Sequence, residues 1–250
     1  MKARACFAIL AVLAMAIAGA VLVLDRDAPY ASADDSGTSY GITWTLSEGV
    51  LTLSPTNGST SMHNYDSSGA GSAPWSASAN RLSISEVVVK DGITSIGNYA
   101  FFSCYSLKSM SIQGNVTSIG DGAFMYCYAL SSITIPGGVT TIANFVFYGC
   151  HALSSVTFLG NVTTIGAYAF TDCSSLASFD VPSTVTTIVA YAFTDCYSLS
   201  EVGFLGNGPA SIGASAFAGC ATSYSGAARR TGRGSEYLPN LFPTIFPNPF

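Results

Sequence analysis

The chain has 250 residues, of which 49% are hydrophobic and only 9% charged, with a net charge of −5. No Lys or Arg occurs between residues 109 and 228. A surface without basic groups cannot neutralise phosphates, so a nucleic-acid partner is excluded and anionic membrane surfaces are disfavoured. Residues 1–33 read as an export signal. Lys2 and Arg4 precede an apolar run over 5–24, and Ala31-Ser32-Ala33 is a small-residue cleavage site. The run is also long enough to cross a bilayer, so an uncleaved anchor is the rival reading; both place the rest of the chain outside the cytoplasm.

Residues 34–80 are rich in Ser and Gly and are expected to form a β-rich N-terminal cap. Within them Ile42, Trp44 and Leu46 alternate with Thr, Ser47-Glu48-Gly49 turns, and Val50-Leu51-Thr52-Leu53 returns, which predicts a β-hairpin. Trp44 and Trp75 are expected to shield the end of the array that follows, since terminal repeats cover the core with atypical sequence. The alternative is a tryptophan platform for a sugar.

Over 81–220 one phrase returns at a fixed period. Cys104, Cys127, Cys150, Cys173 and Cys196 are each 23 residues apart, and Cys220 follows after 24. With them recur Ile96, Ile119, Ile142, Ile165, Ile188 and Ile212, the phenylalanines Phe101, Phe124, Phe147, Phe170, Phe193 and Phe217, and Leu107, Leu130, Leu153, Leu176 and Leu199. One repeat cannot bury such residues alone, so the period predicts a solenoid whose stacked coils share a core. In the coil from Leu130, Ile133 and Ile135 alternate with Thr134 as in a short strand. Pro136-Gly137-Gly138 breaks it, and Val139 and Ile142 form a second extended corner. Phe147 and Cys150, three apart, suit one helical or 3-10 turn. Ile84, Val87 and Val89 fall 23 residues before Leu107, Met110 and Ile112, a degenerate zeroth strand with Arg81 in the cysteine position.

The phrase Val162-Thr163-Thr164-Ile165-Gly166, Ala169-Phe170, Cys173, Leu176 resembles the BspA-like class of leucine-rich repeats, and about half the chain carries it. The resemblance implies an α/β repeat solenoid: a leucine-rich-repeat stack of 23-residue coils, each a short parallel strand plus a short helical or 3-10 turn. It also implies a secreted or surface protein of a microbe, often an adhesin. After Cys220 the pattern stops, and 221–250, with Arg229, Arg230, Arg233 and four prolines near the end, is expected to be an extended or disordered tail.

No catalytic, cofactor or metal site is expected. His151 stands where other coils have Tyr105, Tyr128 and Tyr197, as a surface substitute, and His63 has no partner that spacing identifies. Asp172 and Asp195 recur just before a cysteine. They are expected as solvated turn residues, the alternative being a calcium or catalytic pair. The cysteine column is expected as reduced core thiols rather than disulfides, because parallel side-chain vectors suit bonding poorly. What remains is surface: Lys108, Ser109, Ser111, Ser132, Thr134, Ser155, Thr157, Ser178, Asp180 and Glu201 face outward from the strands, margined by Tyr105, Tyr128, His151 and Tyr197. Three sequons mark Asn57, Asn115 and Asn161 as candidate glycosylation sites. The expected function is non-catalytic adhesion or binding of a protein or glycan on a cell surface or matrix through the strand face. A self-associating coat or spacer is the alternative.

Overall fold

A computed structural model describes residues 35–68, 72–76 and 78–221; the expected export signal and nearly all of the expected tail lie outside them. The first three strands, β1 (Asp35–Ser39), β2 (Ile42–Ser47) and β3 (Val50–Pro55), form an antiparallel meander, so the expected hairpin gains a strand. Tyr40-Gly41 and Glu48-Gly49 make its two-residue loops. All four have positive φ, which matches the right-handed twist of the flanking strands. Ile42, Trp44, Leu46, Leu51 and Leu53 point inward and are buried.

The meander is continuous with the array. β3 runs parallel to β5 (Glu86–Val89), the zeroth strand read from the sequence, and β5 runs parallel to β7 (Ser109–Ile112). Between β3 and β5 lie β4 (Thr60–Ser61), a 3-10 turn at Pro74–Ser76 and one short helix, α1 (Ser78–Ser83). Trp75 is fully buried. Its indole N–H donates to the Ala100 carbonyl at 2.8 Å, its ring lies 6.1 Å from Phe101, and Trp44 meets it edge-on at 6.5 Å. Both tryptophans therefore finish the phenylalanine column, and neither presents a face to a sugar.

The coils stack as a β-solenoid with little helix. One side carries β7, β9 (Ser132–Ile135), β11 (Ser155–Phe158), β13 (Ser178–Val181) and β15 (Glu201–Phe204). Its hydrogen-bonded ladders group as β1-β2-β3-β5-β7, β11-β9 and β13-β15. The second corner forms another parallel stack: β6 (Ile93–Ile96) with β8 (Ser118–Ile119), then β10 (Thr141–Ile142), β12 (Thr164–Ile165), β14 (Thr187–Ile188) and β16 (Ser211–Ile212).

The third side departs from expectation. None of the coils marked by a cysteine contains the helical turn; among the described residues the only helices are the 3-10 turn and α1, which stands around Arg81 in the degenerate zeroth repeat. Instead each coil carries left-handed residues four apart: Tyr99 and Ser103, Gly122 and Tyr126, Phe145 and Gly149, Tyr168 and Asp172, Tyr191 and Asp195, Ser215 and Gly219. A left-handed residue every fourth position cannot propagate a right-handed helix. It frees alternate amides to point along the stack. In one coil Tyr99, Phe101 and Ser103 donate to the carbonyls of Asp121, Ala123 and Met125 in the next, at 2.8–3.0 Å, and the pattern recurs down the array. The amides between them close local turns, such as Cys104 to the Phe101 carbonyl at 3.1 Å. This third ladder satisfies backbone groups that a bare loop would leave to water.

Inside, the phenylalanine rings stack at 5.0–5.5 Å from Phe101 to Phe217. The six cysteines of the column are free and buried. Each thiol from Cys127 onward donates to the carbonyl of the phenylalanine one coil back, at 3.0–3.3 Å.

A polar ladder runs beside this core. The side-chain oxygens of Asn64, Asn98, Asp121 and Asn144 accept, each at 2.9 Å, the amides of Asn98, Asp121, Asn144 and Ala167. The file ends because 167 and 190 are alanines. Ala167→Asn would offer an acceptor to the amide of Ala190, one coil on. It should stabilise the fold by about 0.5–1.5 kcal/mol, and Asn144→Ala should cost a similar amount. Thermal melting of the two variants beside the parent would read opposite shifts of about 2–4 °C.

Candidate functional site

The alternation of β7 to β15 turns every second side chain outward. Lys108, Ser109, Ser111, Ser132, Thr134, Ser155, Thr157, Ser178, Asp180 and Glu201 are all exposed, as the sequence pattern requires. Strand register sets Ser132 beside Ser155 and Thr134 beside Thr157, and Ser178 beside Glu201. Asp180 lies over Gly203, where any side chain would meet its carboxylate. The face is thus hydroxyl-rich and flat in register, and its acids gather at the β13–β15 end.

Aromatic side chains gather on the third side. Tyr105 and Tyr128 stack at 4.8 Å and 15°, and Tyr128 and His151 at 4.7 Å and 6°. The Arg81 guanidinium sits 5.9 Å from the Tyr105 ring centre, and His151 Nε2 contacts Asp172 Oδ2 at 2.9 Å. One file therefore runs from a cation through three rings to a carboxylate. Ser174 interrupts it, and beyond the gap Tyr197 is 60% exposed. A second file, Phe145, Tyr168 and Tyr191, stacks at 4.9 Å per step. Tyr126 bridges the zones, 6.0 Å from Tyr128 and 5.5 Å from Tyr148. Burial pushes the phenols of Tyr126 and Tyr128 up, and Asp195 does the same to Tyr197.

The margin of Tyr105, Tyr128, His151 and Tyr197 is found where the repeat places it. The contact of His151 with Asp172 was not legible, because the two occupy different repeat positions. The second file was missed because Phe145, Tyr168 and Tyr191 hold a column that also contains Gly122. At the other end His63 stacks on Tyr40 at 3.9 Å and meets Tyr65 edge-on at 5.4 Å, a packing role. Asn57, Asn115 and Asn161 are exposed. The hydroxyls of Thr117 and Thr163 in two of these sequons donate to the carbonyls of Thr94 and Thr140. Among the described residues no helix is long and apolar enough to cross a membrane.

Identical coils stacked about one core, with function left to outward side chains, define a repeat-solenoid scaffold. The sequence matches the model of the BspA type leucine rich repeat region in 6 copies, over residues 76–200 and 118–225. The chain belongs to that family, whose repeats generally serve as non-catalytic scaffolds.

Among solved structures the chain is similar to a leucine-rich repeat protein from Bacteroides ovatus, with 36% identity and a TM-score of 0.50 over 55% of this chain and 35% of that one. It is also similar to the T. pallidum leucine-rich repeat protein, with 25% identity and a TM-score of 0.54 over 74% of this chain and 89% of that one. A leucine rich cell surface protein from Faecalibacterium prausnitzii matches at 21% identity and a TM-score of 0.32, over 74% of each chain. No curated protein matches. The chain spans about a third of the Bacteroides ovatus protein's length.

Proposed function

We propose that the protein is exported and binds a protein or glycan at a cell surface or matrix through the side formed by β7 to β15, without catalysis. The observation that carries this reading is the register of its exposed columns, in which outward Ser and Thr from successive coils stand beside one another. Hydroxyls at strand spacing can hydrogen-bond an extended partner, and small side chains let that partner approach the sheet closely. The charged start, apolar run and small-residue site over 2–33 support export.

The test is binding of the full chain to a panel of glycans, matrix proteins and whole cells. A variant with Ser132→Arg, Ser155→Arg and Ser178→Arg runs beside it. These positions are exposed, so the variant should keep the parent's melting profile. It should lose at least about tenfold in affinity, because three bulky cations obstruct a flat contact, a loss of about 1.4 kcal/mol. Equal binding by parent and variant would sink the assignment to this side.

A further inference from the structure

We propose that the third side is a site of oxidative tyrosine cross-linking, with Tyr105 joined to Tyr128 and Tyr168 to Tyr191 as covalent staples between neighbouring coils. The co-reactant is hydrogen peroxide, used by a haem peroxidase as a one-electron oxidant. The inference does not depend on which partner the strand side binds.

Geometry carries it. The two pairs lie 4.8 and 4.9 Å apart at 15° and 8°. Tyr105, Tyr128 and Tyr191 are 36%, 40% and 38% exposed, so an external oxidant reaches a member of each pair. The stacks are held by backbone ladders, and each outer neighbour is fixed: Arg81 over Tyr105, His151 on Tyr128, Phe145 on Tyr168. Two radicals formed on rings already side by side meet without diffusion, at a far higher effective concentration than radicals on separate chains.

The chemistry closes. Each phenol gives one electron to the oxidant and one proton to water, leaving a phenoxyl radical whose spin density extends to the carbons beside C–O. One such carbon from each ring forms the new C–C bond. The hydrogen on each bonded carbon then leaves as a proton and the oxygen regains one, restoring both phenols. The pair has lost two electrons and two protons, and one peroxide takes up both to give two waters.

Full-length protein at micromolar concentration would be treated with peroxide and a haem peroxidase, then separated on a denaturing gel. The expected product is a monomer band with dityrosine fluorescence and a mass lower by two hydrogens per link. Peptide mapping should join the segment holding Tyr105 to that holding Tyr128, and Tyr168 to Tyr191. Tyr128→Phe should remove the first link and Tyr191→Phe the second, while the double variant loses monomer fluorescence. Phenylalanine keeps the ring stack, and an unchanged circular dichroism spectrum would verify that the variants fold. Fluorescence confined to dimer bands, links mapping to other tyrosines, or monomer fluorescence surviving in the double variant would overturn the proposal.

Discussion

Titrated upward from neutral pH, the protein should hold its fold to about pH 9 and lose it before about pH 12. The cause is the thiol column. Burial pushes Cys104 from the ordinary 9.0 up to about 12, slightly offset by Arg81. Burial also raises Cys127, Cys150 and Cys173. Cys196 is raised first by the neighbouring Cys220 thiol and then by burial. Below its unfolded pKa a thiol is protonated in both states, and stability is at its plateau. Between the two values only the unfolded chain releases the proton, so rising pH pulls the equilibrium toward unfolding. At 1.36 kcal/mol per pH unit, Cys104 alone withdraws about 4 kcal/mol over that window. A domain of total stability about 5–15 kcal/mol cannot absorb several such losses. Circular dichroism against pH, read beside thiol reactivity, would follow it. Thiols should be silent to an aromatic disulfide reagent at pH 8 and appear together as the fold is lost. Tyr65 is also raised by burial, and its phenol adds to the alkaline loss in the same sense, so a Cys127→Ala, Cys150→Ala variant isolates the thiol part. Its alkaline midpoint should move up, and an unchanged midpoint would remove the column from the explanation.

Phe147→Ala should cost about 3–5 kcal/mol, the range for deleting a fully buried aromatic side chain. Phe147 is 0% exposed and packs between Phe124 at 5.5 Å and Phe170 at 5.3 Å. Its loss opens a void in the middle of a column that each coil shares only with its neighbours. The denaturant midpoint should fall steeply, and the transition should broaden or split as the two halves uncouple. Tyr128→Ala, at 40% exposure, should stay within about 1 kcal/mol of the parent. Similar costs for the two substitutions would contradict a core organised around the ring column.

What could be read in advance follows from which residues repeat. The Ile, Phe, Leu and Cys columns recur every 23 residues, and burial demands that regularity, so the stacked core and both strand sides were legible. The hairpin was legible because Glu48-Gly49 supplies the loop chemistry. The helical turn was misread because Phe147 and Cys150 are three apart in either a helix or a chain of turns. The residues that decide the matter, Tyr168, Asp172, Tyr191 and Asp195, adopt positive φ that their side chains do not announce. The Asn98, Asp121 and Asn144 ladder sits at the same period and could have been found by following polar columns as well as apolar ones. The outward strand residues were legible from alternation. The aromatic files were only half legible: each keeps one repeat position, but the second shares its column with Gly122, and the contacts of Tyr126 with Tyr128 and of His151 with Asp172 cross between positions.

The bonds that join the coils also set how the molecule can change length. From Asn98 to Asp121, Thr140 to Thr163 and Ser131 to Ser154, each links residues 23 apart. Closing a coil therefore costs the same chain entropy wherever it stands, since that cost depends on the size of the loop and not on the length of chain already folded. A gene that gains or loses one whole phrase leaves every remaining contact at the same separation. Reach along a partner can thus be tuned in steps of one strand spacing, about 4.8 Å, by duplication alone.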